Sequence, residues 1–167
     1  VDDLIGWDTS GDGMGDDNNP TPSNTGSHGT HVAGLLAATT DNNLGIASVA
    51  FNSSIMSVKV SRENQDNDVY ITDGYDGILY AAKAGHYGSE RGFAIINNSW
   101  GGGGYSQFEY ATIEVSHDTY NAVIVAASGN GATDGWGEAE EIHYPSSYNH
   151  VISVTALGTS DRWNHWA

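Results

Sequence analysis

Short, almost wholly apolar runs alternate along the chain with long polar and glycine-rich stretches. From His28 to Ala38 the residues are small or apolar on nearly every side, which predicts a helix that is buried rather than amphipathic, with Ser27 as its N-cap. After the turn at Asp41-Asn42-Asn43, the run 46–50 and the alternating run 55–60 predict two buried strands. Tyr75, Ile78, Leu79 and Ala82 recur at i, i+3, i+4 and i+7, the stripe of a helix, and Gly85 and Gly88 are its stop signals. A third strand is expected over 93–97, a helix with Phe108, Ala111 and Val115 facing inward, and further strands over 122–127 and 151–156. Strands apolar on both faces, alternating with helices, predict an α/β fold: a three-layer parallel sheet flanked by helices on both faces. No repeat and no linker marks a second domain, so residues 1–167 read as part of a single domain.

In open parallel sheets ligands bind beyond the carboxyl ends of the strands. That places interest on Asn98-Ser99-Trp100-Gly101-Gly102-Gly103-Gly104 and on Ser128-Gly129-Asn130-Gly131. Glycine lets another backbone approach closely, and an Asn amide donates two N–H groups to developing negative charge. Each stretch by itself is equally an ordinary glycine-rich turn. His28 opens the small-residue helix beside Gly29, a position that suits a general base with one ring edge in solvent, and equally a capping or core histidine. His31 lies one turn further on, but no Glu follows in an HExxH pattern and no third ligand has helical spacing, which argues against zinc.

Charge narrows the partners. Five Lys+Arg against 21 Asp+Glu give a formal charge of -16, which repels phosphate backbones and anionic headgroups, so neither nucleic acid nor a membrane is expected. No apolar run approaches the roughly 20 residues of a membrane span. The absence of cysteine excludes disulfides and thiolate chemistry without fixing the compartment. The N-terminal stretch has neither a basic n-region nor an apolar h-region, and it reads as the interior of a longer protein.

Four segments, in order, resemble the subtilisin-like serine proteases. Gly26-Ser27-His28-Gly29-Thr30-His31-Val32-Ala33-Gly34 resembles the family's histidine signature, in which the first histidine is the general base. Asn97-Asn98-Ser99-Trp100-Gly101-Gly102 is similar to the substrate-binding strand, and Ala126-Ala127-Ser128-Gly129-Asn130 to the strand ending in the oxyanion asparagine. Tyr144-Pro145-Ser146 followed by 151–154 resembles the segment that closes the specificity pocket. The resemblance implies a secreted serine endopeptidase acting on polypeptides by acyl transfer, with His28 and Asn130 catalytic. Ser99, Trp100, Gly101, Gly102, Ala127, Ser128 and Gly129 would bind the peptide.

The departures are equally specific. Asp8-Thr9-Ser10-Gly11 has no supporting strand before it and fits the family's later Gly-Trp-Asp segment better than its aspartate motif; Gly158-Thr159-Ser160 is followed by Asp161-Arg162 where a nucleophile motif needs small residues. The chain therefore reads as the central segment of such a domain, incomplete at both ends, whose catalytic Asp and Ser come from other residues or a second chain, with a propeptide as a further partner. The alternative is an inactive subtilase-like peptide-binding module. The resemblance also implies structural calcium, held by Asp8, Asp17, Asn19 and Thr21 as alternating oxygen ligands, with the turn at Asn42 resembling a second calcium loop; a solvated acidic loop is the other reading.

Overall fold

The computed structural model describes residues 6–11, 15–22, 27–63, 69–130 and 142–156. They fall into two compact units, Val1–Gly77 and Ile78–Ala167. The run Gly158-Thr159-Ser160 and the glycines Gly26 and Gly131 lie outside the described residues.

In the first unit, strand β1 (Trp7–Asp8) pairs in parallel with β2 (Val58–Lys59), Asp8 opposite Lys59. Helix α1 spans His28–Ala37. Strands β3 (Ser61–Glu63) and β4 (Val69–Ile71) form an antiparallel pair. The alternating run 55–60 thus shortens to β2, and the hairpin after it carried no sequence signal. The expected strand over 46–50 does not form. Its amides are spent on the end of α1 instead: Val49 N–H donates to Leu35 O at 3.2 Å and Ala50 N–H to Leu36 O at 2.8 Å. Those are carbonyls that a helix terminus leaves without an intrahelical partner. Asp41 and Asn43, both at positive φ, turn the chain back to make this possible. α1 exists as expected, but none of its residues is buried, and Leu35 and Leu36 are 49% and 41% exposed. Ser27 is its N-cap residue, yet its backbone is already αR and its side chain makes no capping bond.

The second unit carries the apolar core. Helix α2 (Gly74–Gly88) leads into it, and Ile78, Ala81 and Ala82 are buried as the stripe predicts. Gly85 does not stop this helix. It lies within it, at a close approach to Ala94, where a Cβ would stand 2.6 Å from the backbone nitrogen. Strands β5 (Ile95–Asn98), β6 (Val123–Ala127) and β7 (Val151–Val154) form a parallel sheet in the order β5-β6-β7. Helix α3 (Gln107–Asp118) connects β5 to β6, as a parallel pair requires. Its buried residues are Ile113 and Ser116, whereas Phe108 is 77% and Val115 43% exposed, so the inward face is rotated from the expected stripe. The α/β class stands; among the described residues Ile96 and Ile124 are buried while Ile95 is 70% exposed.

Candidate active site

The two glycine-rich stretches meet at the carboxyl ends of β5 and β6. The register places Asn98 opposite Ala126, so Ser99–Gly102 and Ala127–Asn130 leave the sheet side by side. Asn98 is buried, and its side-chain amide donates to Val125 O at 3.1 Å, which fastens the two strand ends together. Ser128 N–H donates to Val154 O at 2.9 Å, anchoring the second stretch to β7. A third segment closes the group. Gly102 and Tyr144 exchange backbone hydrogen bonds of 3.0 and 3.2 Å, just before the cis peptide Tyr144-Pro145. Gly102, expected to bind peptide, has its N–H and C=O engaged by Tyr144. Asn130 follows β6 on the exposed side.

Gly129 is the tightest point. Its φ is 99°, and a Cβ on it would stand 3.0 Å from Nε2 and Cδ2 of the His143 ring. A Cβ on Gly101 would stand 3.9 Å from His143 Cβ and 3.2 Å from Tyr144 O. His143 therefore lies against both glycine-rich stretches. Sequence reasoning missed it, although its place immediately before Tyr144-Pro145 was the available signal.

His28 is in the first unit, at the exposed first position of α1, and His31 is exposed one turn later. Asp8, at the end of β1, is only 2% exposed. Its Oδ1 accepts from Ser10 N–H (2.8 Å), Ser10 Oγ (2.6 Å) and Gly11 N–H (3.2 Å), and its Oδ2 pairs with Lys59 Nζ at 3.0 Å. Burial pushes the Asp8 carboxyl up, but the bonds from Ser10, Lys59 and Gly11 outweigh it and hold it below the ordinary value of 3.8. Both oxygens are occupied, so Asp8 is not placed to orient an imidazole.

The same fact bears on calcium. Asp17 Oδ1 accepts from Asn19 N–H at 2.8 Å, and Asn19 Oδ1 accepts from Thr21 N–H at 3.3 Å and Thr21 Oγ1 at 2.5 Å. These oxygens thus accept hydrogen bonds within their own loop. Asn42 lies in a separate bend, its Oδ1 accepting from Leu44 N–H at 3.0 Å. Asp8, Asp17, Asn19 and Thr21 belong to one stretch of the first unit and Asn42 to another, so the two calcium loops that the resemblance implies would be separate sites.

The subtilase family profile matches residues 6–164. The chain belongs to the subtilase family. Fervidolysin of Fervidobacterium pennivorans is 36% identical over 137 residues, which cover 79% of this chain and 18% of that protein. The extracellular basic protease of Dichelobacter nodosus is 36% identical over 134 residues, covering 77% of this chain and 21% of that protein. Among solved structures, the S41 psychrophilic protease superposes with a TM-score of 0.71 at 26% identity, covering 90% of this chain and 45% of that one. The chain thus spans about a fifth of those two relatives and under half of that structure. The β5 and β6 ends and the segment at Tyr144 converge in one unit of this chain.

Proposed function

We propose that this chain forms the central part of a secreted subtilase endopeptidase domain. The observation that carries the reading is the convergence of Ser99–Gly101, Ala127–Asn130 and His143–Tyr144 at the open end of a parallel sheet. In this reading the peptide lies extended along Ser99–Gly101 and Ala127–Gly129 by strand addition. His28 takes the proton of a serine hydroxyl supplied from outside this chain, and an aspartate also from outside holds the imidazole tautomer. The Asn130 amide donates to the oxyanion of the tetrahedral intermediate. Secretion is supported by the extracellular protease of Dichelobacter nodosus among this chain's relatives.

The test uses the whole protein that carries this chain, assayed on peptide substrates and labelled with an active-site phosphonate. His28→Ala lowers kcat by about 10⁶-fold, and Asn130→Ala lowers it by roughly 10²–10³-fold with KM little changed. A wild-type protein that binds peptides but neither cleaves them nor takes the label sinks the endopeptidase reading in favour of an inactive peptide-binding module.

A further inference from the structure

Away from the cleft, three metal-ligating side chains meet on the surface of the second unit. His117 and Asp118 end α3, and His150 immediately precedes β7 with its backbone held at φ 68°. The two imidazole rings stack with centroids 4.4 Å apart and planes 32° from parallel. A ligand atom from each of His117, Asp118 and His150 lies within 4.8 Å of the others, and all three residues are exposed. Asp118 Oδ1 stands 2.7 Å from His117 Nδ1.

We propose that His117 and His150 bind a borderline transition-metal ion of the zinc type, with Asp118 orienting His117 from behind. A carboxylate accepting from Nδ1–H keeps the proton on that nitrogen and leaves the Nε2 lone pair outward, the arrangement of metal-bound histidines. Two imidazoles select zinc, copper or nickel and discriminate against calcium and magnesium, which require oxygen. The ion also sits at the C-terminal end of α3, where the helix dipole favours positive charge. Neighbouring ligands of a tetrahedral zinc with bonds of about 2.0–2.1 Å are roughly 3.3 Å apart. Exposed side chains reach that spacing from the present one by χ rotation, and water completes the open positions. Asn149 Nδ2 donates to Tyr110 Oη at 3.4 Å, so the turn before His150 is already tied to α3. The metal would add a further tie between α3 and the start of β7, the strand whose Val154 carbonyl anchors Ser128.

The experiment is a calorimetric titration of the metal-free whole protein with zinc chloride in a non-coordinating buffer, on wild type, His117→Gln, His150→Gln and Asp118→Asn. Each histidine substitution is expected to remove one zinc equivalent per chain, leaving any zinc taken by the other histidines. Asp118→Asn keeps that equivalent with Kd raised about 10–100-fold. Zinc raises the wild-type unfolding midpoint by mass action, and neither histidine variant shows that increment although their metal-free midpoints match wild type. Zinc uptake identical in wild type and both histidine variants overturns the proposal, as does a wild type that takes up no zinc. Equal heat with calcium chloride overturns the assignment of nitrogen ligands.

Discussion

Replacing Asp8 by Ala removes one half of a buried ion pair. The two side chains are 3% and 7% exposed, and the carboxylate also accepts three hydrogen bonds from Ser10 and Gly11. Breaking a buried pair of this kind costs about 3–5 kcal/mol, against a total stability of roughly 5–15. The assay is urea unfolding followed by tryptophan fluorescence, with Trp7 adjacent to the pair. The wild-type midpoint is expected to exceed that of Asp8→Ala by that energy divided by an unchanged m-value. Replacing both partners with apolar residues, Asp8→Leu with Lys59→Met, costs less than either single change. The pH dependence has a definite sign. The folded carboxyl is depressed below 3.8, so its stabilisation is complete above the unfolded value and is lost as pH falls through the folded one. The gap between wild type and Asp8→Asn therefore narrows only below about pH 4. The reasoning fails if Asp8→Ala costs under about 1 kcal/mol. It also fails if the cost appears with calcium present and vanishes in a chelator, since Asp8 would then be serving a metal rather than Lys59.

Two further substitutions test the second unit. Tyr148→Phe removes an Oη that accepts from Ser106 N–H at 3.0 Å and reaches Glu109 Oε2 at 3.0 Å; the orphaned amide at the start of α3 costs about 1–3 kcal/mol in urea unfolding, and a loss within 0.5 kcal/mol contradicts the bond's role. Gly129→Ala forces a Cβ against the His143 ring at a positive φ, so kcat/KM on peptides falls by about 10²-fold through misplacement of the neighbouring Asn130; unchanged kinetics would show that the cleft adapts.

Helix α2 and strand β6 were readable from periodicity because their own side chains decide their burial. Ile78 and Ala82 recur on one face, and the five residues of β6 are all apolar. α3 shows the limit of that reasoning. Its existence was plain, but the apolar residues Phe108 and Val115 point outward while Ser116 is fully buried, since packing rather than hydropathy sets the rotation. A better signal lay at its start: Ser106-Gln107-Phe108-Glu109 has the spacing of a capping box, and Ser106 Oγ accepts from Glu109 N–H at 3.4 Å. The reciprocal half is altered, because the Ser106 amide goes to Tyr148 and the Glu109 carboxylate meets the same hydroxyl. The run 46–50 failed for a related reason. Its apolar residues suit a strand, but two of its amides find the free carbonyls of α1 before they find a neighbouring strand.

The cleft divides along the same line. Ser99–Gly102 and Ala127–Asn130 were visible because each follows its strand directly, and one parallel register, Asn98 opposite Ala126, suffices to bring them together. His143 reaches the cleft by a return of the chain after β6, and periodicity carries no record of such a return. What holds it there is backbone: the Gly102–Tyr144 exchange fixes the residue beside it, and Gly129 has no side chain to dispute the space occupied by its ring. Backbone hydrogen bonds of this kind place a side chain without dictating its identity. The segment can therefore keep its position while residue 143 varies.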